Sequence, residues 1–260
     1  MKGGGSGREI TASPPDYKKF YYKHREKRST QGADLVLPLV FDHLPIKSVI
    51  DVGCGTGTWL RAARSLGASR TLGVENPWTR QHQVEDRQIE MRWQNLEEPL
   101  AIADTFDLCI CLEVAEHLSP ARAESFVGDL CHTSKRVLFG AAVPGQRGRH
   151  HVNEQWQSFW ASMFRERAYV PIDAIRPIVW NVGDIPYWYR QNTLIYVHQS
   201  QYPADLTALQ PLIDQSSILD LVHPDLLTRL LERPDVKTAV RTALKVPAAI
   251  IRGLKRRVTS

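Results

Sequence analysis

The sequence predicts an α/β protein built on a doubly wound, seven-stranded, mostly parallel sheet with a helical C-terminal extension. Three observations support this fold class. Short apolar, β-branched segments alternate with amphipathic segments from Ser48 onward. The first of them, 48–52, runs into a glycine-rich turn and then a helix. The 260 residues, 43% hydrophobic and 23% charged, are enough for one domain with a substantial core and an appendage.

The elements follow in chain order from hydrophobic periodicity and from helix start and stop signals. Strands are predicted at 48–52, 71–75, 89–93, 106–112, 137–143, 169–178 and 193–197. Helices are predicted at 17–28, 33–44, 58–66, 154–167, 206–213, 224–231 and 234–257. Gly67 ends the third helix, Asn153 is the predicted N-cap of the fourth, and Pro38 lies near the start of the second or kinks it.

The glycine-rich turn after the first strand carries the main functional signal. Gly53, Gly55 and Gly57 permit positive φ angles and let a ligand approach the backbone closely. Thr58 stands where a dinucleotide fingerprint needs a small residue, so that ligand class is disfavoured. Asp51, two residues before the first glycine, makes the pattern D-x-G-x-G-x-G, which resembles motif I of the class I S-adenosylmethionine-dependent methyltransferases.

This resemblance implies a Rossmann-like fold, a final strand that runs antiparallel at the sheet edge, and S-adenosylmethionine as cofactor. Glu75, at the end of the second strand, suits a carboxylate that accepts both ribose hydroxyls. Asn95 stands where many relatives carry an acid against the adenine amino group. The expected cofactor-binding residues are Asp51, Gly53, Cys54, Gly55, Gly57, Glu75, Asn76, Asn95, Leu96, Leu112 and Glu113.

A second motif follows the fourth strand, where Glu113, Glu116 and His117 fall at i, i+3 and i+4. One helical turn would gather these side chains on one face. The E-x-x-E-H element resembles the quinone-biosynthesis O-methyltransferases and the small-RNA 2′-O-methyltransferases. That resemblance implies a divalent metal, magnesium or manganese, held by Glu113, Glu116, His117 and His151. Without metal, His151 or His150 is the expected general base, and Glu113 completes the catalytic set. Both chemistries stay open at this point.

The segments 143–146, 151–156 and 188–192 resemble bacterial methyltransferase-domain proteins found among glycan and secondary-metabolite genes. The function expected from this resemblance is O-methylation of a sugar, a glycan or a related small-molecule hydroxyl. A metal-dependent RNA 2′-O-methyltransferase, which would bind nucleic acid, is the alternative enzyme. A non-catalytic, cofactor-binding accessory subunit is the alternative of another class.

Composition and charge indicate the expected cellular location, the expected partners and the domain boundaries of the protein. The formal net charge is +5, a mild excess that is compatible with anionic partners and diagnostic of none. The cysteines Cys54, Cys109, Cys111 and Cys131 have neither disulfide nor zinc spacing, which favours a reducing, cytoplasmic location. Residues 1–16 are expected to be disordered, 17–199 to form the methyltransferase domain, and 200–260 the extension. The basic end of that extension could contact the inner membrane surface peripherally.

Overall fold

The computed structural model describes residues 19–82, 88–212 and 218–232. The predicted disordered N-terminus at 1–16 and the basic tail at 234–257 lie outside the described residues, so those two expectations stay predictions. Residues 1–221 form one compact unit and residues 222–260 a second. In the described part of the second unit, α8 spans Pro224–Glu232.

A seven-stranded sheet runs through the described part of the first unit. Its order is β3-β2-β1-β4-β5-β7-β6, and every neighbouring pair is parallel except the two pairs made by β7. The predicted fold class is therefore confirmed. The strands are β1 (Ser48–Val52), β2 (Arg70–Glu75), β3 (Glu90–Trp93), β4 (Leu108–Leu112), β5 (Arg136–Gly140), β6 (Tyr169–Ile172) and β7 (Leu194–His198).

Helices cover both faces of this sheet and bury two apolar clusters. One cluster contains Leu37, Leu60, Val179 and Leu209, and the other contains Phe126 and Trp160. Strand residues alternate between the faces, so Leu108 joins the first cluster and its neighbour Cys109 the second. The helices are α1 (Lys19–Phe41), α2 (Thr58–Ser65), α3 (Ala123–Thr133), α4 (Gln157–Arg165), α5 (Arg176–Val179), α6 (Tyr187–Asn192) and α7 (Tyr202–Leu209).

The N-terminal region differs from its prediction, since α1 is one continuous helix rather than two. Pro38 lies near the end of α1, where only a few residues follow before the helix stops at Phe41. Gly32 lies in the middle of the helix and allows a close approach, because a Cβ atom there would meet the Tyr189 ring at 2.6 Å. Gly32 is therefore a packing position inside the helix.

Two further differences concern the second half of the sheet. The strand predicted at 169–178 ends at Ile172, and residues Arg176–Val179 form α5 with Pro177 in its first turn. The final strand β7 runs antiparallel as expected, but β6 pairs with it on its outer side, so β7 is one place in from the edge.

The fourth predicted helix also begins later than expected. Asn153 is not its N-cap, because α4 starts at Gln157 and Asn153 is a buried side chain whose Oδ1 accepts a hydrogen bond from Gln155. No helix in the described part of the chain is long and apolar enough to cross a bilayer.

Candidate active site

The strand order places the site, because β1 has β2 on one side and β4 on the other. The chain adds β2 and β3 on one side of β1 and then crosses back to add β4 and β5 on the other side. Ligands of open α/β sheets bind at the carboxyl ends of the strands at such a switch point. Residues that follow β1, β2, β4 and β5 therefore converge on one edge of the sheet.

The turn after β1 takes the left-handed conformation that its glycines allow. Gly53, Gly55 and Gly57 have φ angles of 81°, 54° and 77°. A Cβ atom on Gly53 would lie 2.3 Å from Cγ2 of Val114, so this glycine lets the turn pack on the segment after β4. No atom lies within 4 Å of the corresponding position on Gly55 in the described structure, so that side of the turn is open to a ligand.

Glu75 joins the end of β2 to the glycine turn. Its Oε2 accepts a hydrogen bond from the Gly55 N–H at 2.9 Å, and its Oε1 accepts one from the Asn76 N–H at 2.6 Å. The Asn76 side chain in turn accepts a hydrogen bond from the Leu96 N–H at 3.0 Å. A carboxylate can accept further hydrogen bonds at both oxygens, so Glu75 can still receive a diol.

Asp51 is a buried acid beside this turn, with 3% of its surface exposed. Burial raises the pKa of Asp51 well above its usual value, and the neighbouring charge of Glu75 raises it further. Its Oδ2 has no hydrogen-bond partner among the described residues. A buried acceptor of this kind suits a ligand that brings hydrogen-bond donors and positive charge, as the amino-acid end of S-adenosylmethionine does.

These elements line a cavity of about 580 Å³. Ten of the predicted cofactor-binding residues line it, and Gly57 does not. Of the predicted catalytic residues, Glu113 and His150 line the cavity and His151 does not. The other predicted metal ligands divide in the same way, since His117 lines the cavity and Glu116 does not. The ten predicted cofactor-binding residues that line the cavity are Asp51, Gly53, Cys54, Gly55, Glu75, Asn76, Asn95, Leu96, Leu112 and Glu113.

Glu113 does not share a helical face with Glu116 and His117, contrary to the prediction from its spacing. It has a left-handed φ of 58°, and the short 3₁₀ helix starts two residues later, at Ala115. Its carboxylate accepts hydrogen bonds from the side-chain amides of Gln146 and Asn192, each at 2.8 Å. These contacts hold Glu113 away from the group that Glu116 and His117 form.

Glu116, His117 and His151 come together without Glu113. One potential ligand atom from each lies within 4.8 Å of the others. The His117 and His151 rings meet edge to face with centroids 4.8 Å apart, and Glu116 is fully buried. Of these three residues only His117 reaches the cavity wall.

The loop after β5 positions the two histidines in different ways. The His151 Nδ1 lies 2.8 Å from Glu154 Oε1, and its Nε2 lies 4.0 Å from Glu116 Oε1. Gly148 leaves room for this ring, since a Cβ atom there would lie 2.0 Å from its Nε2. Burial acts to raise the pKa of Glu154, but hydrogen bonds from His151 and the Gly145 N–H outweigh it and hold the pKa below its usual value. His150 has a left-handed φ of 62° and lines the cavity.

Sequence reasoning missed several residues of the site. Gln146 and Asn192 were noted only as part of a resemblance, and nothing in their spacing indicates that they meet Glu113. Trp59 was assigned only to the apolar face of a helix, but it lines the cavity beside Tyr189, which the sequence had offered as a substrate contact. Their ring centroids are 5.3 Å apart, and the Tyr189 hydroxyl lies 3.2 Å from the Ser29 hydroxyl. The signal that could have singled out Asn192 is its place as a polar residue directly before the predicted strand 193–197.

Three solved structures show the same fold at low sequence identity. The sugar N-methyltransferase KedS8 from Streptoalloteichus sp. ATCC 53650 has a TM-score of 0.55 and 14% identity, over 76% of this chain and 99% of that one. A putative methyltransferase, in a complex with the Haloferax volcanii Trm112 methyltransferase activator, has a TM-score of 0.51 and 14% identity, over 71% and 99% of the two chains. Magnesium protoporphyrin IX methyltransferase (ChlM) from Synechocystis PCC 6803, with bound S-adenosylhomocysteine (SAH), has a TM-score of 0.50 and 16% identity, over 72% and 90%.

No curated protein sequence matches the chain significantly. The family described as "Methyltransferase domain" matches residues 22–183, which include the glycine turn, Glu75, the segment after β4 and the loop after β5. That match spans more than half of the chain and the strands whose ends form the cavity. The chain therefore belongs to the methyltransferase domain family.

Proposed function

We propose that this protein transfers a methyl group from S-adenosylmethionine to a hydroxyl of a sugar, a glycan or a related small molecule. The observation that carries the proposal is a cavity of about 580 Å³ whose lining includes Asp51, Glu75 and the imidazole-bearing residue His150. Such a volume is of the size that cofactor and small-molecule sites occupy.

The cofactor half of the cavity uses the residues around the glycine turn. Glu75 accepts the ribose hydroxyls, and Asp51 faces the positively charged end of the cofactor. Asn95 and Leu96 lie beside the adenine. The side-chain oxygen of Asn95 accepts a hydrogen bond from the Glu97 N–H at 3.1 Å, and its second lone pair can accept one from the adenine amino group.

The acceptor half is formed by His150, His117 and the aromatic pair Trp59 and Tyr189. The acceptor hydroxyl approaches the methyl group in line with the sulfonium, and its oxygen forms the new carbon–oxygen bond as the carbon–sulfur bond breaks. The neutral thioether of SAH leaves, and the hydroxyl proton passes to an imidazole, which we assign to His150. Aromatic rings suit the apolar face of a sugar.

The test is transfer of labelled methyl groups from S-adenosylmethionine to a panel of sugars and polyols. We expect His150→Ala to lower kcat by roughly 100- to 10,000-fold, the range typical of losing a general base. His43→Ala is the matched control, because the His43 ring lies against the Leu39 carbonyl and does not line the cavity. Transfer to RNA in place of the panel would contradict the acceptor class. Cofactor binding without transfer to any acceptor would favour the accessory subunit.

A metal-assisted version of the same reaction is the second candidate, and the cluster of Glu116, His117 and His151 favours it. One carboxylate and two imidazoles fit manganese or iron better than magnesium. Glu154 would orient the His151 ring as a carboxylate often does behind a metal-bound histidine. When bound, such a metal would lower the pKa of the acceptor hydroxyl.

Calorimetric titration with manganese separates the two versions. If the cluster binds metal, heat is released by the wild type and by Glu113→Gln, whose position lies outside the cluster, and is lost in Glu116→Ala. If titration of manganese into the wild type gives no binding heat, the metal-assisted mechanism is excluded and the histidine base mechanism remains.

A further inference from the structure

Glu113, a residue of the cavity wall, is joined through its carboxylate to a buried network of side-chain amides. Gln146 Nε2 donates to Glu113 Oε2 at 2.8 Å, and Asn192 Nδ2 donates to Glu113 Oε1 at 2.8 Å. Gln146 and Asn192 are 4% and 2% exposed, whereas Glu113 is half-buried and lines the cavity.

The network has a fixed direction, with its N–H groups turned toward Glu113. Gln146 Oε1 accepts from the Asn192 amide at 3.0 Å and from the Gln191 amide at 3.2 Å. Asn192 Oδ1 accepts from the Gln191 amide at 2.9 Å. Because both amide oxygens are engaged by N–H donors, only the nitrogens of Gln146 and Asn192 face Glu113. Two N–H donors stabilise the ionised carboxylate over the neutral acid.

The backbone conformation that holds this arrangement in place is strained at Glu113. The left-handed φ of 58° at Glu113 is strained for a residue with a side chain, and such strain is concentrated at functional sites. The Glu113 N–H donates to the Gly140 carbonyl at 2.8 Å. A Cβ atom on Gly140 would lie 3.2 Å from the Asn192 backbone, so this glycine lets α6 bring Asn192 up to the sheet edge.

We propose that Gln146 and Asn192 are positioning residues that hold Glu113 ionised and directed into the cavity as the counter-ion of an ammonium group. The assignment rests on the proposed function, and the ammonium is that of the cofactor's amino-acid end. Gly53 packs against Val114, the neighbour of Glu113, and Gly53 and Glu113 line the same cavity, in which the cofactor's amino-acid end is expected beside the glycine turn. Both carboxylate oxygens are already engaged by N–H donors, so this role replaces proton abstraction at Glu113.

The experiment compares two cofactor fragments by calorimetry. SAH carries the amino-acid end, and 5′-methylthioadenosine lacks it. We expect Glu113→Gln, Gln146→Met and Asn192→Leu each to weaken SAH binding by roughly 10- to 100-fold, the range for losing a hydrogen bond to a charged group. Binding of 5′-methylthioadenosine should change by less than about twofold, because the adenosine side of the cavity is intact. That second ligand also shows whether each variant is folded.

Gln157→Met is the matched control. Gln157 is also a buried amide, but its Nε2 donates to the main-chain carbonyls of Gln191 and Leu221, and it does not line the cavity. We expect it to bind both ligands as the wild type does.

Three outcomes would overturn the proposal. An equal loss of both ligands in the Gln146 and Asn192 variants would show a structural role only. Unchanged SAH binding in Glu113→Gln would remove the counter-ion role, and a raised KM for an amine-bearing acceptor in that variant would move Glu113 to the acceptor. If the wild type binds neither fragment, the proposed function itself fails, which is a distinct result.

Discussion

Asp51 is a buried acid whose charged form is poorly stabilised by the protein alone. It is buried, it has one oxygen without a partner among the described residues, and its pKa is raised by burial and by Glu75. The free energy of keeping its charge inside the protein is unfavourable until a donor or a cation arrives. This single residue therefore predicts a coupling between ligand binding and protonation.

We expect SAH to bind with release of a proton from Asp51. A raised pKa means that the free protein holds the proton to higher pH than usual, and a cationic ligand lowers that pKa on binding. Affinity should thus rise with pH between the pKa of the complex and the pKa of the free protein. Calorimetry in buffers of different ionisation enthalpy, between about pH 5 and 8, measures the protons released.

Asp51→Asn is the control for that measurement, because it keeps the shape and removes the titration. Its binding heat should not depend on the buffer beyond what other groups contribute. If wild type and Asp51→Asn show the same buffer dependence, Asp51 does not exchange a proton with the ligand.

Residues close together in the chain could be predicted, and residues brought together by topology could not. The spacing of Asp51, Gly53 and Glu75 follows from one strand, one turn and the next strand, so local sequence carries it. Gln146 and Asn192 meet Glu113 only because β4 pairs with β5 and α6 packs over their ends. The helical spacing misplaced Glu113, since Glu113 itself has a left-handed backbone and the 3₁₀ helix starts only at Ala115.

At the scale of an element, the turn between β1 and α2 depends on Gly53. We expect Gly53→Ala to lower the free energy of unfolding by about 2–4 kcal/mol. The methyl group would overlap Val114, and φ of 81° is unfavourable with a side chain. Urea denaturation measures the loss, and SAH affinity should fall with it because the turn would move.

Gly183→Ala is the matched substitution. Gly183 is exposed, its φ is outside the left-handed region, and a Cβ atom added there would have no atom within 4 Å in the described structure. We expect its free energy of unfolding to stay within about 0.5 kcal/mol of the wild type. Equal effects of the two substitutions would show that the turn tolerates a side chain.

Elements whose boundaries depend on tertiary contacts were the ones that sequence periodicity misjudged. The strand predicted at 169–178 is shorter in the structure, because Arg176 turns back to bind Asp173, with both side chains largely buried, and Pro177 lies in the first turn of α5. The two predicted N-terminal helices are one, because Gly32 is compatible with the helix and is covered by Tyr189.

At the scale of the whole molecule, α7 is tied to the sheet by a buried ion pair. Arg136 on β5 binds Asp205 through two hydrogen bonds of 2.5 and 2.8 Å, with side chains 11% and 3% exposed. The predicted domain boundary at residue 199 stays a prediction, but this contact joins the segment beyond it to β5. We therefore expect both to unfold in one transition.

Removing one partner tests that expectation. We predict that Arg136→Met costs about 3–5 kcal/mol of unfolding free energy, because Asp205 would keep a buried charge without its partner. The double variant Arg136→Met/Asp205→Leu should recover most of the loss, since it leaves no uncompensated charge. Urea denaturation followed by two probes would contradict the account if the wild type unfolds in two steps or if the double variant is no more stable than the single variant.

The doubly wound, mostly parallel sheet was the part of the whole fold that sequence predicted best. Alternating strands and helices allow few arrangements once crossovers are right-handed, and the glycine turn marks the first strand. The sequence could not show that β6 is the edge strand and that β7 lies between β5 and β6. Both β6 and β7 are short apolar strands, and only their pairing shows which of them lies at the edge of the sheet.

The most direct test of the central claim is calorimetric titration of SAH into the wild type, Glu75→Ala and Glu124→Ala. Glu75 holds the glycine turn and is expected to hold the ribose, whereas Glu124 is an exposed acid on α3 outside the cavity. We predict saturable binding to the wild type and to Glu124→Ala, with affinity for Glu75→Ala lower by roughly 10- to 100-fold. Absence of binding to the wild type, or equal binding to all three, would contradict the placement of S-adenosylmethionine in this cavity.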